Sequence, residues 1–385
     1  MGNWEEVKLK DVIKVVNGRA YKKPELLSKG KYRVLRVGNL FTNNSWYWSD
    51  LELNEDKYCD DGDLIYAWSA SFGPRIWQEE KVIYHYHIWK MICDEKKIDK
   101  DFAFHFLDWD KDMMKKEHSR GVGMFHLTKT AIENRKLLLP PLPKQKRIVA
   151  KLDGLFEKID AAIKLLEENI AHTQALMGSV LDGIYSDGDV MIKDLCIVGP
   201  KKSEVKDLDD TLEVSFLPMR DLNEHEINFK PNEIKNLKEV YKGYTYFADG
   251  DIILAKVTPC FENGKAGLAK GLLNGIGFGS SEYHVLRPNE NVLPEWVYFA
   301  VLTEQFRVTG KENMTGAGGL KRVPRPFLEE WKIPVPKLSI QKKQINRIVQ
   351  IQEETKKLND SITQNLEDLK QLKSSLLDQA FKGEL

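Results

Sequence analysis

Two histidines, His85 and His87, alternate along an apolar run and so share one face of a predicted strand, where a pair of imidazoles can bind a metal. No third ligand stands near them, and packed or hydrogen-bonded imidazoles are the expectation. The run Gly316-Ala317-Gly318-Gly319-Leu320-Lys321 departs from the phosphate-cradling pattern GxxxxGK[ST], and Gly275-Ile276-Gly277-Phe278-Gly279 has no βαβ setting. Glu330-Trp331-Lys332 and Glu233-Ile234-Lys235 have the ExK form of some nucleases, without the Pro-Asp that precedes it there. No GxSxG elbow is present. Cys59, Cys93, Cys196 and Cys260 are scattered without a CxxC pair, which argues against zinc and a disulfide scaffold and fits a reducing cytoplasm. No catalytic residue, metal or cofactor is therefore expected, and the chain reads as a recognition module.

A second group of residues has nucleic-acid chemistry. Basic side chains interleave with aromatics at Tyr66, Trp68, Arg75 and Trp77, then at Lys115, Lys116, His118, Arg120, Phe125, His126 and Lys129. A later set comprises Lys256, Thr258, Asn263, Lys265, Lys311, Asn313, Thr315, Lys321, Arg322 and Arg325. Arg and Lys pair with guanine edges and phosphates, Asn with adenine, and Thr with base edges or the thymine methyl. From these the expected DNA contacts are Trp68, Arg75, Lys116, Arg120, His126, Lys129, Lys256, Thr258, Lys265, Asn313, Lys321, Arg322 and Arg325. Glycines at 121–123 and 316–319 lie beside the basic groups, where a bare backbone approaches phosphate closely. Each cation taken singly is also an ordinary solvated charge. Trp46, Trp48 and Trp89 are expected in the core. The chain has 58 basic and 58 acidic residues, so any phosphate-binding surface must be a local patch.

The elements that must position these residues come in duplicate. Adding 196 to Leu139-Pro140-Pro141-Leu142-Pro143-Lys144-Gln145 gives Val335-Pro336-Lys337-Leu338-Ser339-Ile340-Gln341. The same offset carries 180–185 onto 376–381, Gly123-Met124 onto Gly319-Leu320 and Phe102 onto Tyr298, so one gap-free offset is expected over roughly 99–185 and 295–381. Upstream, Gly62-Asp63-Leu64-Ile65 matches Gly250-Asp251-Ile252-Ile253, Asp11-Val12 matches Asp194-Leu195, and Tyr86-His87-Ile88 matches Tyr283-His284-Val285. Each half opens with short alternating runs broken by Gly, Asn, Asp and Pro, at 63–68, 82–93, 251–257 and 282–286, which read as strands. Helices are expected at 101–109 and 295–306.

Each half then ends in one long helix. Leu152, Ile159, Leu166, Thr173 and Val180 recur every seven residues, with Phe156, Ile163, Ile170, Met177 and Ile184 between them. The second copy is read as Ile348, Thr355, Ile362, Leu369 and Leu376 with Ile351, Leu358, Asn365 and Leu372. Narrow, sustained seams of this kind predict a coiled coil, and two in one chain can clasp each other antiparallel. Nearly forty helical residues at ~1.5 Å each give a rod of roughly 55–60 Å. The expected fold is a mixed α/β chain with a pseudo-twofold repeat: globules at 1–143 and 188–338, separated by an antiparallel pair of long helices at 144–187 and 339–385. Such modules would read two unlike half-sites on one face of a duplex. No run is apolar enough to span a membrane, and the polar-apolar mixture at 1–16 is unlike a signal peptide.

The whole chain resembles a type I restriction-modification specificity subunit. The duplicated plan carries the resemblance, with Pro141–Gln145 written as Pro-Leu-Pro-Lys-Gln at the entry of the central helix. Its degenerate copy at 336–341, the opening Trp4-Glu5-Glu6-Val7-Lys8-Leu9 and the ending 376–385 also fit. The second copy departs at Lys337, Ser339 and Ile340. The resemblance implies two target-recognition domains, double-stranded DNA as ligand, two modification subunits using S-adenosylmethionine, and restriction subunits using ATP. It implies no catalysis by this chain. The long helices would dock the modification subunits, with Lys144, Arg147, Lys151, Gln341, Lys342 and Arg347 as candidate contacts or as plain solvated positions. A fused nuclease or methyltransferase and a coiled-coil scaffold without nucleic acid are the competing readings.

Overall fold

The computed structural model describes residues 4–41, 44–69, 71–118, 127–317 and 319–385. The chain forms two compact units, Met1–Leu166 with Gln364–Leu385, and Glu167–Thr363. Both long helices contribute to both units: Leu142–Tyr185 and Leu338–Phe381 have 44 residues each.

In the first unit an antiparallel sheet orders Ile13–Asn17, Ile88–Cys93, Leu64–Ser69 and Ser71–Ile76. A mixed sheet orders Tyr47–Ser49, Tyr32–Leu35, Val82–Tyr84 and Tyr58–Cys59, its middle strands parallel. The second unit repeats the plan with Cys196–Val198, Tyr283–Pro288, Ile252–Ala255 and Ala266–Leu268, and with Glu233–Asn236, Glu213–Leu217, Ile276–Gly279 and Thr245–Ala248. Strands buried on both faces read as continuous apolar runs such as Ile252–Ala255, which explains their legibility.

The registers correct the repeat. Ile65 pairs with Lys90 and Tyr66 with Trp89, while Ile253 pairs with Val285 and Leu254 with His284. Trp89 therefore corresponds to His284 and His87 to Glu282, not His87 to His284 as the string match suggested. A sequence match aligns letters, whereas the ladder aligns faces, and a slip of two residues keeps the face. A second slip falls near residue 100. Phe102 packs on Phe381 at 5.2 Å, and Trp296, not Tyr298, packs on Tyr185 at 4.7 Å.

One turn is conserved in geometry between the units. Gly62 and Gly250 adopt φ 81° and 88°, a left-handed backbone that glycine takes without strain. The carboxylates that follow close their turns, Asp63 accepting from the Asp60 N–H and Asp251 from the Ala248 N–H. Each also holds a cation of the neighbouring strand, Lys90 in one unit and Arg287 in the other.

The helix entries are fastened by buried glutamines. Gln145 donates to the Lys97 and Pro140 carbonyls at 2.9 and 2.7 Å and accepts from the Asp99 N–H at 2.8 Å. Gln341 donates to the Asn291 and Pro336 carbonyls at 3.2 and 2.8 Å and accepts from the Leu293 N–H at 2.9 Å. Both amide hydrogens and one of the two carbonyl lone pairs of each glutamine are engaged, as burial requires.

The helices pair antiparallel. In the first unit Lys373 bonds Asp160 at 2.8 Å and lies 4.7 Å above the Phe156 ring. In the second, the Thr173 hydroxyl donates to Asn359 at 2.8 Å. The seam of the central helix matches expectation, with Leu152, Ile159 and Thr173 buried. The second copy needs correction. Ile348 and Ile362 are buried, but Leu358 and Leu372 are 51% and 46% exposed, and Leu366, Asn359 and Lys373 face inward one position later. Hydrophobicity favoured the leucines; the actual partners Thr173 and Asp160 select polar residues.

Candidate nucleic-acid interface

In each unit the two sheets meet at the carboxyl ends of the parallel strands, and the same backbone frame forms there. The His85 N–H donates to the Leu35 carbonyl at 2.9 Å, and the Ser280 N–H to the Leu217 carbonyl at 3.3 Å. The Trp68 N–H bonds the His87 carbonyl at 3.2 Å, and the Lys256 N–H bonds the Glu282 carbonyl at 2.9 Å. Trp68 and Lys256 are thus equivalent positions. Their side chains even share a partner: the Trp68 indole donates to the Tyr86 carbonyl and the Lys256 ammonium to the Ser281 carbonyl, both at 2.8 Å. The chain returns beside this strand end at equivalent points, the Leu127 N–H reaching the Trp68 carbonyl and the Val323 N–H reaching the Lys256 carbonyl.

The frame is shared but the side chains are not. In the first unit it carries an aromatic and imidazole cluster. Trp68 stacks 5.6 Å from Trp89, His87 meets Trp68 edge-on at 5.0 Å, and His85 and His87 lie 4.9 Å apart. Burial, with the charges of His87 and Arg36, pushes the His85 imidazole down to about 4, so it is neutral at pH 7. Arg36 lies 4.3 Å above the exposed Tyr47 ring, and its Nε has no partner among the described residues. The second unit carries ion pairs. The Arg322 Nε and Nη2 donate to the two oxygens of Glu282, both at 2.8 Å. This pair lowers the Glu282 carboxyl and raises the Arg322 guanidinium. Burial lowers the neighbouring His284, which bonds the Val323 carbonyl at 2.9 Å.

The second unit brings most of its expected DNA-contacting residues together. Lys256, Thr258, Lys321 and Arg322 share one corner, with the Thr258 N–H on the Lys321 carbonyl and Arg322 laddered to Thr315. Asn313 is exposed two residues before Thr315, and Arg325 pairs with Glu329. Lys265 bonds the Met219 carbonyl at 3.4 Å. The first unit is more dispersed. Arg75 sits opposite Ile65, three residues further from the hairpin end than Trp68, with its guanidinium 4.7 Å from the Phe41 ring. Lys116 is exposed on the helix Lys100–His118, and Lys129 pairs with Glu133. Arg120 and His126 lie outside the described residues. Tyr66 and Trp77, named among the interleaved aromatics, are core instead: the strand of Tyr66 is buried on both faces, and Trp77, just past its strand, packs into a core cluster with its indole on the Glu80 carbonyl. Arg36, Tyr86 and Glu282 lie at the same corners and were not among the expected contacts; which strand ends come together places them there, and no local pattern shows that.

Of the candidate docking residues on the long helices, Arg147, Lys151, Lys342 and Arg347 are exposed, and Lys144 lies 5.0 Å above the Trp4 ring. Gln341 is fully buried, so it is removed from that set: its side chain is spent on its own unit. Among the described residues no three His, Cys, Asp or Glu side chains converge as metal ligands, and no helix is long and apolar enough to cross a membrane.

The type I restriction modification DNA specificity domain model matches residues 1–169 and again 188–369. The specificity subunit of the type I restriction enzyme EcoAI from Escherichia coli is 41% identical over 170 residues, 44% of this chain and 29% of that subunit. The EcoEI counterpart, also from Escherichia coli, is 42% identical over 148 residues, 38% of this chain and 24% of its own length. The chain therefore covers less than a third of either relative. A 22% identity to the EcoBI specificity subunit of Escherichia coli spans all of this chain and 86% of that one. Among solved structures, a chain from work on complex assembly and conformational transition of the type I R-M system superposes with a TM-score of 0.76 at 18% identity, covering 100% of this chain and 99% of that one. The HsdS subunit from Thermoanaerobacter tengcongensis superposes at 0.57, also at 18% identity, over 100% and 98%. The fold is theirs, and with the specificity-domain model matching twice over most of its length, this chain belongs to the type I restriction modification DNA specificity domain family.

Proposed function

We propose that this chain is the sequence-recognition subunit of a type I restriction-modification enzyme. It binds double-stranded DNA at an asymmetric two-part target and presents that target to methyltransferase subunits. It performs no chemistry itself. Residues 1–143 and 188–338 are the reading domains, and 144–187 and 339–385 the helices between them. Two modification subunits that use S-adenosylmethionine and restriction subunits that use ATP are its partners, and the cytoplasm is where it acts.

One observation carries the reading. The same backbone frame occurs in both units, with Trp68, Tyr86 and His87 in one and Lys256, Ser281 and Glu282 in the other. Evolution of a binding surface on a fixed frame produces this pattern, and unlike surfaces suit unlike half-sites. Lys256, Thr258, Lys321 and Arg322 supply phosphate and base-edge chemistry in the second unit, with Lys265, Asn313 and Arg325 around them. Trp68, Arg75, Lys116 and Lys129 serve the first, together with Arg120 and His126. Docking of partners is supported by large apolar side chains left exposed along the helices, Leu165, Leu176, Leu358 and Leu372. Lys144, Arg147, Lys151, Lys342 and Arg347 are the polar rim of that surface.

The test is co-expression with a cognate modification subunit and mapping of methylated genomic sites. A two-part asymmetric motif that depends on this chain is expected. Methylation at scattered sites, or none above the modification subunit alone, would refute the proposal.

A further inference from the structure

We propose that Glu282 is a positioning residue that makes Arg322 a reader of guanine, so that the second unit demands a G in its half of the target. This rests on the reading of the chain as a duplex-binding subunit.

A guanidinium has two edges that can engage a pair of acceptors: the side edge of Nε with one Nη, and the end edge of both Nη nitrogens. Glu282 occupies the side edge of Arg322 through Nε and Nη2, at 2.8 Å each. The end edge is engaged by no described residue, and the side chain is 44% exposed. Guanine alone presents two adjacent acceptors, N7 and O6, in the major groove; adenine replaces the second with an amino donor. The end edge therefore accepts guanine and repels adenine.

Both partners are anchored from behind. Arg322 exchanges two backbone bonds with Thr315, at 3.0 and 2.8 Å. The Glu282 N–H donates to the Ser280 hydroxyl at 3.2 Å, and its carbonyl accepts from the Lys256 N–H. An arginine already held in one rotamer loses less freedom on binding than a mobile one. An exposed ion pair contributes little to folding, so what Glu282 supplies here is orientation. In the first unit the equivalent of Glu282 is His87, so no carboxylate stands at that position.

The experiment uses the full chain with its modification subunit and a randomised duplex library. Wild type is expected to enrich an invariant guanine at one position of one half-site. Arg322→Met keeps the length but removes the charge and every donor, and Glu282→Ala frees the arginine. Each should lose the preference for that guanine by about ten-fold while enrichment at the other half-site is unchanged. Glu282→Gln, which still accepts at one oxygen, should restore part of it. Replacing the guanine by 7-deazaguanine should weaken wild type and leave Arg322→Met unaffected.

Two outcomes overturn the proposal while leaving DNA recognition intact. One is a guanine preference that survives in both Glu282→Ala and Arg322→Met. The other is a loss equal across all sequences with a shallower salt dependence, which makes Arg322 a phosphate contact. A wild-type complex that enriches no sequence overturns the functional reading and this proposal together. Unchanged hydrogen exchange in Ile252–Ala255 shows that the variants remain folded.

Discussion

The first unit holds its central turn with Asp63 and Lys90, both partly exposed, and the second with Asp251 and Arg287, the aspartate fully buried. Arg287 grips both oxygens of Asp251 at 2.7 and 2.8 Å and reaches Glu204 as well, an arrangement that raises its guanidinium. At the helix junctions the contrast continues. His105 bonds Asp153 at 2.7 Å in the first unit, whereas the position of Asp153 is taken in the second by Val349, packed on the core. The backbone frame is common and the side-chain chemistry on it is free to differ. The proposed reading of two unlike half-sites needs that separation.

The largest expected difference comes from the buried carboxylate. Asp251→Ala removes two of the three carboxylate bonds of Arg287 and the acceptor of the Ala248 N–H, and should destabilise the second unit by about 3 kcal/mol, against about 1–2 kcal/mol in the first unit for Asp63→Ala. Hydrogen exchange in Ile252–Ala255 and Leu64–Ser69 reads the two separately. Equal losses would mean that burial does not distinguish the turns.

The glutamines should behave alike. Gln145→Leu and Gln341→Leu each leave one N–H and two carbonyls without their bonds, at a cost of about 2–4 kcal/mol in their own unit. Denaturant unfolding that shows a loss for only one of them would break the equivalence of the helix entries.

Acid should load both units, since burial lowers His85 in the first and His225 and His284 in the second, and His85 isolates the first unit's share. The folded His85 pKa of about 4 lies below its ordinary 6.5, so the unfolded chain binds this proton first. The stability contribution is whole above about pH 6.5 and is lost as pH falls towards 4. After solvent screening it is on the order of 1–2 kcal/mol. His85→Ser, which installs the residue found at the matching Ser280, should flatten that slope in the first unit. Melting between pH 7 and 4.5 tests it, and an unchanged slope would count against the burial of His85.

The smallest effects belong to the exposed helix leucines. Leu358→Ala and Leu372→Ala should each shift stability by under about 0.5 kcal/mol. Retention of the modification subunit in pull-down should nevertheless fall. A stability loss near that of a core leucine would restore the seam as first read from sequence.

Residue order alone dictates the duplication, the long helices and the strand-rich globules. These follow from local rules: a seven-residue apolar repeat, prolines just before each helix start, and glycine turns between apolar runs. Family resemblance was legible for the same reason, since its motif at 141–145 marks a helix entry. What Gln145 and Gln341 do there was not legible, because their partners at 97–99 and 291–293 are distant in sequence. That Asn359 and Lys373 face the seam while Leu358 and Leu372 do not follows from the packing of the two helices. A helix stripe is chosen by the partner it meets, and Thr173 and Asp160 offered hydrogen bonds and charge where sequence hydrophobicity anticipated leucine. The reading corner likewise depends on two parallel strands ending side by side, and that adjacency places Arg36 with His85, and the end of the neighbouring antiparallel sheet places Glu282 with Arg322.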